Sequence, residues 1–305
     1  MQPCRLVGGK IRKGAQLLHP FEYVRAASVD EAVAALAKHG DRARPFSGGT
    51  DALVMARAGR WDLDALVDIK HIPETNVLEL GASEFRHGSA VPCYKLYEDE
   101  EISSAFPGLV DSVSIIGGIQ IQSRAGLGGN LCNASPSGDG IGSLIVHNAT
   151  CVIAGPNGTR EVAVEDFCTG PGRSVIGDGE MLVEMKMPTP KKGFGAAYQR
   201  FTPRNEMDIA VAGVASSVQL DGNTIVSARV ALAAVGPTPI LSSAGDSLAG
   251  KEVSAENISA AAQIASSEAS PISDMRGTDE QRVHLVGVLT RRTLERAVER
   301  ARENN

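Results

Sequence analysis

Two glycine-rich segments, far apart in the chain, carry residue types that bind polar ligands. The first glycine turn is residues 45–53, PFSGGTDAL, and the second glycine turn is residues 124–133, RAGLGGNLCN. Each places paired glycines beside hydroxyl or amide side chains, so that unshielded backbone N–H groups can approach a phosphate or another polar ligand closely. A lone glycine turn is usually only a turn, but two in one chain predict a ligand that is bound from two sides.

Neither turn matches the common nucleotide-binding loops. The chain has no Gly-x-x-x-x-Gly-Lys-Ser/Thr loop, and no Gly-x-Gly-x-x-Gly sequence opens a Rossmann unit. These absences disfavour a nucleotidase and a nicotinamide-binding dinucleotide fold. A long diphosphate such as FAD, held by two separate loops, is consistent with both turns.

The composition is that of an ordinary soluble globular protein, with 305 residues, 43% hydrophobic and 22% charged. The net charge of -6 argues against nucleic acid as the main partner. The chain lacks an apolar run of about 20 residues that could span a bilayer, and its first residues lack a secretory pattern. We therefore expect no membrane insertion and a cytoplasmic location, or one acquired from a partner.

The cysteines do not form a recognisable metal or cluster motif. They are odd in number and widely spread, at Cys4, Cys93, Cys132, Cys151 and Cys168, without a Cys-x-x-Cys pair. This spacing supports neither a zinc ribbon nor a self-contained iron-sulfur cluster, and predicts reduced thiols. The six histidines also lack metal-binding spacing, so we predict no metal site in this chain.

Sequence patterns around the first glycine turn predict a compact α/β unit. Ser28 and Glu31 form the capping box of a helix that Gly40 ends. The predicted elements are a helix over 28–37, a helix over 50–58 and strands over 66–69 and 77–80. The alternation at 43–46, which leads into the glycine turn, is too short to assign alone. The helix that begins at the glycine turn would direct its positive N-terminal end towards the ligand.

The rest of the chain is predicted as a mixed segment followed by an antiparallel sheet covered by helices. The mixed segment has helices over 92–98 and 106–115, a loop over 119–140 and strands over 144–154, 161–164 and 181–187. After a linker at 191–193 come strands over 209–218 and 225–232, a hairpin turn at 221–223, and helices over 255–267 and 279–302. Long loops such as 119–140 tend to bind ligands.

Four sequence blocks, in order along the chain, resemble the FAD-binding medium subunit of molybdenum hydroxylases. That family includes the aerobic carbon monoxide dehydrogenases, the xanthine dehydrogenases and the N-heterocycle dehydrogenases. The blocks are SGGTD at 47–51, LVDI at 66–69 with IPE at 72–74, LGGNLCNASP at 127–136 with Asp139, and Arg204 with DIA at 208–210. The similarity extends from about residue 19 to residue 300.

The resemblance implies an α+β fold of the vanillyl-alcohol-oxidase (PCMH) type. Such a fold has two α/β FAD-binding subdomains and a C-terminal domain of antiparallel sheet and helices. The implied divisions are an N-terminal arm at 1–18, FAD-binding subdomain 1 at 19–72, subdomain 2 at 73–190 and a C-terminal flavoprotein domain at 191–305.

The resemblance also assigns residues to FAD. The FAD diphosphate and its adjoining ribityl or ribose oxygens would be held by Ser47, Gly48, Gly49, Thr50 and Asp51. The second clamp would be Gly126, Gly128, Gly129 and Asn130. Further cofactor contacts would come from Phe46, Ala52, Ile69, Leu127 and Asn133.

Three more positions carry specific implied roles. Asp139 would accept a hydrogen bond from a hydroxyl of the flavin sugar chain, or it would only cap a turn. Leu182 would lie near the isoalloxazine ring, or it would be plain core. Arg200 stands where the xanthine dehydrogenase branch often has a lysine; it would keep positive charge near the flavin but alter its potential, or be a surface residue.

Two departures from the family pattern concern the second glycine turn. The family usually has Gln-Ile-Arg-Asn before it and Thr-Ile-Gly-Gly within it, whereas this chain has Gln-Ile-Gln-Ser at 120–123 and Gly-Leu-Gly-Gly at 126–129. A cation and a hydroxyl are lost. FAD would then be held less tightly at its phosphates, or be reached by another donor such as Arg124.

The resemblance implies an electron-transfer role without catalytic residues in this chain. A small partner subunit would carry two [2Fe-2S] clusters, a large one a molybdenum-pterin cofactor, and the complex would be a dimer of heterotrimers. Electrons would pass from the clusters to FAD and then to an external acceptor. Two alternatives stay open: a stand-alone FAD-dependent oxidase or dehydrogenase of the same fold, and a scaffold that has lost FAD.

Overall fold

Three β-sheets of three or more strands, one in each consecutive part of the chain, organise the described residues. The computed structural model describes residues 20–204 and 206–304, and the arm predicted at 1–18 lies outside them. A two-stranded ribbon accompanies the second sheet.

The first part is a three-stranded parallel sheet flanked by two helices. Its elements are β1 (Glu22–Arg25), α1 (Val29–His39), β2 (Ala43–Phe46), α2 (Ala52–Arg57) and β3 (Ala65–Asp68). The strand order is β1-β3-β2, and all four residues of the central β3 are buried, as expected for an apolar strand in a parallel sheet. The predicted α/β unit around the first glycine turn is confirmed.

The ends of α1 follow the predicted capping pattern. The Glu31 backbone N–H donates to the Ser28 hydroxyl at 3.2 Å, and the Ala27 N–H donates to the Glu31 carboxylate at 2.8 Å. Gly40 ends the helix with a φ of 57°, a conformation that glycine adopts without strain. The Ser28 cap and the Gly40 stop are therefore confirmed, whereas the Glu31 carboxylate accepts the Ala27 N–H in place of the Ser28 N–H of a capping box.

The second part contains a five-stranded antiparallel sheet and six helices. Its elements are β4 (Leu78–Leu80), β5 (Glu84–Gly88), α3 (Tyr94–Glu98), α4 (Glu100–Ala105), α5 (Pro107–Val113), α6 (Ile119–Gln122), α7 (Leu127–Cys132), α8 (Asp139–Val146), β6 (Thr150–Gly155), β7 (Gly158–Ala163), β8 (Cys168–Gly170), β9 (Arg173–Ser174) and β10 (Met181–Pro188). The strand order is β4-β5-β10-β6-β7. Phe85, Phe106 and Leu144 lie in the core between the sheet and the helices.

Two predictions for this part were wrong. The expected loop at 119–140 contains α6, α7 and the start of α8, and the expected strand at 144–154 begins only at Thr150. All residues of α8 are buried, so its sequence lacks the polar face that marks a surface helix and resembles a buried strand. Glycines at 128 and 129 give α7 a low intrinsic helix propensity.

The third part is a four-stranded antiparallel sheet with two helices. Its elements are β11 (Phe194–Phe201), β12 (Ala212–Asp221), β13 (Thr224–Ala233), β14 (Ile240–Ser242), α9 (Ala255–Glu268) and α10 (Asp279–Glu303). The strands are ordered β11-β12-β13-β14. Asp221 pairs with Thr224, so Gly222 and Asn223 form a two-residue hairpin turn. The predicted antiparallel sheet covered by helices is confirmed.

Both faces of the third sheet are covered. Val214 and Leu232 pack with residues of α9 and α10, whereas Ala215 and Ala231 pack with residues of α5 and α8. Alternate residues of a strand point to opposite faces, which explains the division. The second part of the chain therefore supplies one cover of the third sheet.

The longest helix, α10, is amphipathic. Val286, Leu289 and Leu294 are buried on one side, while Arg296 and Arg302 are accessible to solvent. In the described ranges 20–204 and 206–304, no helix combines the length and the apolar character that crossing a membrane requires.

Candidate cofactor site

The two glycine turns lie in direct contact. A Cβ atom at position 48 would lie 1.9 Å from the carbonyl oxygen of Arg124 and 2.6 Å from its carbonyl carbon. Only glycine tolerates such an approach, because real Cβ atoms do not come this close to backbone atoms. Turns about 80 residues apart in sequence therefore form one site.

The first glycine turn connects β2 to α2. Phe46 ends β2, and Gly49 has a φ of 75°, the left-handed conformation that favours glycine. Ile69, which directly follows β3, donates its backbone N–H to the Phe46 carbonyl at 3.0 Å and so lies beside the turn. Ser47 and Thr50 are half-buried. Of the remaining predicted residues here, Asp51 is exposed and Ala52 begins α2.

The second glycine turn contains the short helix α7, which packs against the segment at 89–91. A Cβ atom at position 126 would lie 2.7 Å from the Val91 carbonyl oxygen, and one at position 128 would lie 2.6 Å from the Ser89 carbonyl oxygen. Leu127 is fully buried between them. Gly126 and Gly128 are therefore required for backbone packing.

Gly129 differs from its neighbours because an added Cβ atom would point into open space. A Cβ atom there would meet no heavy atom within 4 Å, and the residue is exposed. Asn130 is half-buried and accepts the Gly140 backbone N–H at 3.1 Å, and Asn133 is also half-buried. Gly129 thus provides the open backbone surface of the second turn, which a ligand can approach closely.

Asp139, the first residue of α8, lies in a buried polar cluster with two residues of β11. The Tyr198 hydroxyl donates to its Oδ1 at 2.7 Å, and Arg200 Nη1 donates to its Oδ2 at 2.5 Å. Burial raises the pKa of Asp139 to about 6, although the Arg200 guanidinium and the Tyr198 hydroxyl favour the ionised form. A sugar hydroxyl of FAD would have to share this carboxylate with both donors.

Arg200 is not a surface residue, since its side chain is only 6% exposed. That alternative from the sequence is wrong. Tyr198 was missed because β11 was not predicted. Had it been, the two-residue spacing of Tyr198 and Arg200 would have placed both on one face of a strand.

The side chain of Leu182 lies in the hydrophobic core, on β10. Its carbonyl accepts the Ser89 hydroxyl at 2.8 Å, and Ser89 in turn contacts Gly128. Core packing is enough to explain the burial of Leu182. Its contact with the isoalloxazine ring stays a prediction.

Gln122 stands where the family has its arginine and has a structural role here. Its side chain is buried, donates to the Ser114 carbonyl at 2.7 Å and accepts the Tyr97 hydroxyl at 3.1 Å. Arg124 is exposed, and it makes no side-chain hydrogen bond or ion pair within the described part of the chain. The cation available to a phosphate at this turn is therefore Arg124.

These features fit an elongated anionic ligand such as FAD. The backbone is bare at Gly129. Lys70 lies beside the first turn, with its Nζ 4.5 Å from the centre of the Phe46 ring, but its ammonium is paired with the buried Asp68 carboxylate at 2.6 Å. Backbone N–H groups and cations are the usual partners of a diphosphate. Among the residues described, no group of three or more His, Cys, Asp and Glu side chains is arranged to hold a metal ion.

Two family descriptions match consecutive parts of the chain. Residues 19–190 match the FAD binding domain in molybdopterin dehydrogenase, and residues 196–297 match the CO dehydrogenase flavoprotein C-terminal domain. The first match alone covers more than half of the chain.

Individual relatives are similar over nearly their whole length. The xanthine dehydrogenase FAD-binding subunit of Escherichia coli O157:H7 is 30% identical over 279 residues, which are 90% of this chain and 95% of the relative. The carbon monoxide dehydrogenase medium chain of Hydrogenophaga pseudoflava is 31% identical over 278 residues, 91% of this chain and 96% of the relative.

Solved structures agree with the sequence comparisons. A chain of the reconstituted CO dehydrogenase from Oligotropha carboxidovorans superimposes with a TM-score of 0.89 at 29% identity, covering 93% of this chain and 99% of that one. The resemblance inferred from the four sequence blocks and the expected α+β fold are thereby confirmed. The chain belongs to the family of FAD-binding domains in molybdopterin dehydrogenases and is an oxidoreductase subunit whose cofactor is FAD.

Proposed function

We propose that this chain is the FAD-binding electron-transfer subunit of a heteromeric molybdenum hydroxylase. It would accept electrons from [2Fe-2S] clusters of a small subunit and deliver them through FAD to an external acceptor, while a large subunit carries the molybdenum-pterin cofactor. The observation that carries this proposal is the contact between Gly48 and Arg124, which joins both glycine turns in one site. The names of the relatives, "medium chain" and "FAD-binding subunit", support a heteromeric complex.

FAD supplies the redox chemistry in this proposal, and the chain binds and orients it. The diphosphate and neighbouring oxygens are assigned to Ser47, Gly48, Gly49, Thr50 and Asp51 on one side and to Gly126, Gly128, Gly129 and Asn130 on the other. Gly129 offers open backbone, whereas Gly126 and Gly128 keep α7 close to its support. The exposed Arg124 replaces the cation lost at position 122.

The cysteines support the receipt of electrons from a neighbouring subunit. Burial raises the pKa of Cys93 to about 12 and that of Cys168 to about 11. An iron-sulfur cluster needs several thiolates grouped around it, and in the described part of the chain no three His, Cys, Asp or Glu side chains are grouped to hold a metal ion. A chain of this kind needs a partner that carries the clusters.

The proposed setting is a dimer of heterotrimers in the cytoplasm. Within this chain we assign FAD-binding subdomains to 19–72 and 73–190 and a C-terminal flavoprotein domain to 191–305. No side chain is assigned to acid or base chemistry on an organic substrate, because the cofactors of the complex perform the redox steps.

The proposal is tested by purifying the full chain and measuring its flavin content and its reduction. We expect one FAD per chain, and anaerobic reduction of that flavin by a co-expressed, reduced iron-sulfur subunit. A chain that alone oxidises an organic substrate would point instead to a free-standing oxidase or dehydrogenase. A colourless chain that still assembles with its partners would point to a scaffold.

A further inference from the structure

Asp139, Tyr198 and Arg200 form a closed polar cluster where the third sheet meets α8. Tyr198 and Arg200 lie on one face of β11, and each donates to a different oxygen of the Asp139 carboxylate. The side chains of Arg200 and Asp139 are 6% and 9% exposed. The carboxylate is thus fixed by two donors in a site from which water is largely excluded.

The surrounding residues make room for the Tyr198 hydroxyl. A Cβ atom at position 213, on β12 opposite Arg200, would lie 2.7 Å from the Tyr198 hydroxyl oxygen. Small residues let α8 approach the sheet, since a Cβ at Gly142 would lie 3.4 Å from that of Ala215. The phenol therefore occupies a space that a larger residue at 213 would close.

One hydrogen bond from the residue next to Asp139 joins the cluster to the second glycine turn. Gly140, which follows Asp139, donates its backbone N–H to the Asn130 side chain at 3.1 Å. Asn130 follows Gly129, whose backbone is open to a ligand. Asp139 is therefore connected to the proposed FAD site through its neighbour Gly140 and one hydrogen bond.

We propose that Tyr198 is a positioning residue of the flavin site, which holds the Asp139 carboxylate on Arg200 and thereby sets the charge that the flavin experiences. This inference rests on the proposed FAD site. With Asp139 ionised, the carboxylate and the guanidinium form a neutral pair. Protonation of Asp139 would leave an uncompensated buried cation, which favours the more negative, reduced flavin.

The protonation state of Asp139 is controlled by the groups in direct contact with it. Burial raises the pKa of Asp139, and the Tyr198 hydrogen bond opposes that rise. Of the other ionisable groups on elements packed against α8, Asp111 of α5 pairs with Arg300 of α10, and Arg229 of β13 pairs with Glu165. Asp166 and Asp221 are exposed to solvent, and burial raises the pKa of the Cys132 thiol of α7 to about 12. Burial lowers the pKa of His147, at the far end of α8, to about 4, so it is neutral at pH 7.

The test is the pH dependence of the flavin midpoint potential in the FAD-loaded full chain, between pH 5 and 8. The unsubstituted chain should show a change of slope near pH 6 that Asp139→Asn abolishes. Tyr198→Phe removes a hydrogen bond that stabilises the carboxylate, so the change of slope should move to higher pH by about one unit. A purely structural tyrosine would leave its position unchanged.

Tyr97→Phe is the matched control, because it removes a phenol that binds the neutral Gln122 side chain. Its profile should coincide with that of the unsubstituted chain. The inference is overturned if Tyr198→Phe leaves the change of slope at the same pH, or if the change of slope is still present in Asp139→Asn. The Asp139→Asn result decides the matter if Tyr198→Phe does not fold. A chain that binds no FAD refutes the proposed function itself and removes the basis of the inference.

Discussion

At the residue scale, His87 shows how strongly burial controls protonation in this chain. It is fully buried on β5, and neither ring nitrogen has a hydrogen-bond partner in the part of the chain that the structure describes. Burial lowers its pKa from 6.5 to about 4. Between these pH values the folded chain therefore binds fewer protons than the unfolded chain.

This difference predicts a loss of stability in mild acid. Because the folded-state pKa is depressed, the contribution of neutral His87 to the free energy of unfolding is present above pH 6.5 and is lost as the pH falls towards 4. The shift corresponds to about 2 kcal/mol between pH 7 and pH 5. His87→Leu should reduce the difference in unfolding free energy between these two pH values by about that amount, as measured by urea titration.

The matched control for His87 is the exposed His284. His284→Leu should leave the pH difference as it is in the unsubstituted chain, because this side chain meets solvent in the folded and the unfolded states alike. Equal pH differences in the unsubstituted chain and His87→Leu would contradict the account of His87.

At the element scale, the position of α7 depends on which of its glycines touches protein. A Cβ at 128 would lie 2.6 Å from the Ser89 carbonyl oxygen, whereas one at 129 would meet nothing. Gly128→Ala should therefore lower the unfolding free energy by about 1–3 kcal/mol, as overpacking does. Gly129→Ala should leave it unchanged or raise it by up to about 1 kcal/mol, because alanine favours helix.

Both variants are compared without FAD, so that only the protein is measured. Urea unfolding gives the two free energies, and near-ultraviolet circular dichroism reports the packing. Equal effects at positions 128 and 129 would mean that α7 does not pack on the segment at 89–91 as described.

The elements that sequence predicted well are those with local signals. The Ser28 cap and the Gly222 hairpin turn each depend on a few neighbouring residues, and both were found where predicted. Helices α7 and α8 were missed because tertiary packing forms them: glycines place one against the 89–91 segment, and burial removes the polar face of the other. Local helix propensity does not depend on such tertiary contacts and therefore cannot predict these helices.

For the candidate site too, local features could be predicted from the sequence and contacts between distant residues could not. The glycine turns could be recognised from residue types alone, but their contact at Gly48 and Arg124 joins residues distant in sequence. The partners of Asp139 also come from a distant strand, which no local pattern revealed. Residue types therefore predicted the ligand class, and only the fold shows how the turns and the buried cluster are arranged.

At the scale of the whole molecule, the third sheet depends on the second part of the chain. The Ser217 hydroxyl donates to the Val146 carbonyl at 2.8 Å, and Arg229 Nε donates to the Ile145 carbonyl at 3.1 Å. Ala215 and Ala231 are buried under α5 and α8. The face that these helices cover would be exposed if the C-terminal part stood alone.

A fragment of residues 191–305 should therefore fail to fold independently. Removal of α5 and α8 exposes an apolar sheet face, which favours aggregation. We expect the fragment to aggregate, or to unfold without a cooperative transition in circular dichroism, under conditions in which the full chain unfolds cooperatively. A monomeric fragment with a sharp transition would show that the third sheet is an autonomous domain.

The central claim is that both glycine turns hold one FAD, and FAD binding to Gly129→Val tests it most directly. The open surroundings of Gly129 predict that the added side chain leaves the FAD-free fold intact, while it fills the space that the cofactor must approach. Ser104→Val, at an exposed position on α4, is the control. Calorimetric titration with FAD should show unchanged affinity for the control and a loss of at least about 100-fold for Gly129→Val, which corresponds to about 3 kcal/mol. Stoichiometric FAD binding of undiminished affinity by Gly129→Val would contradict the claim.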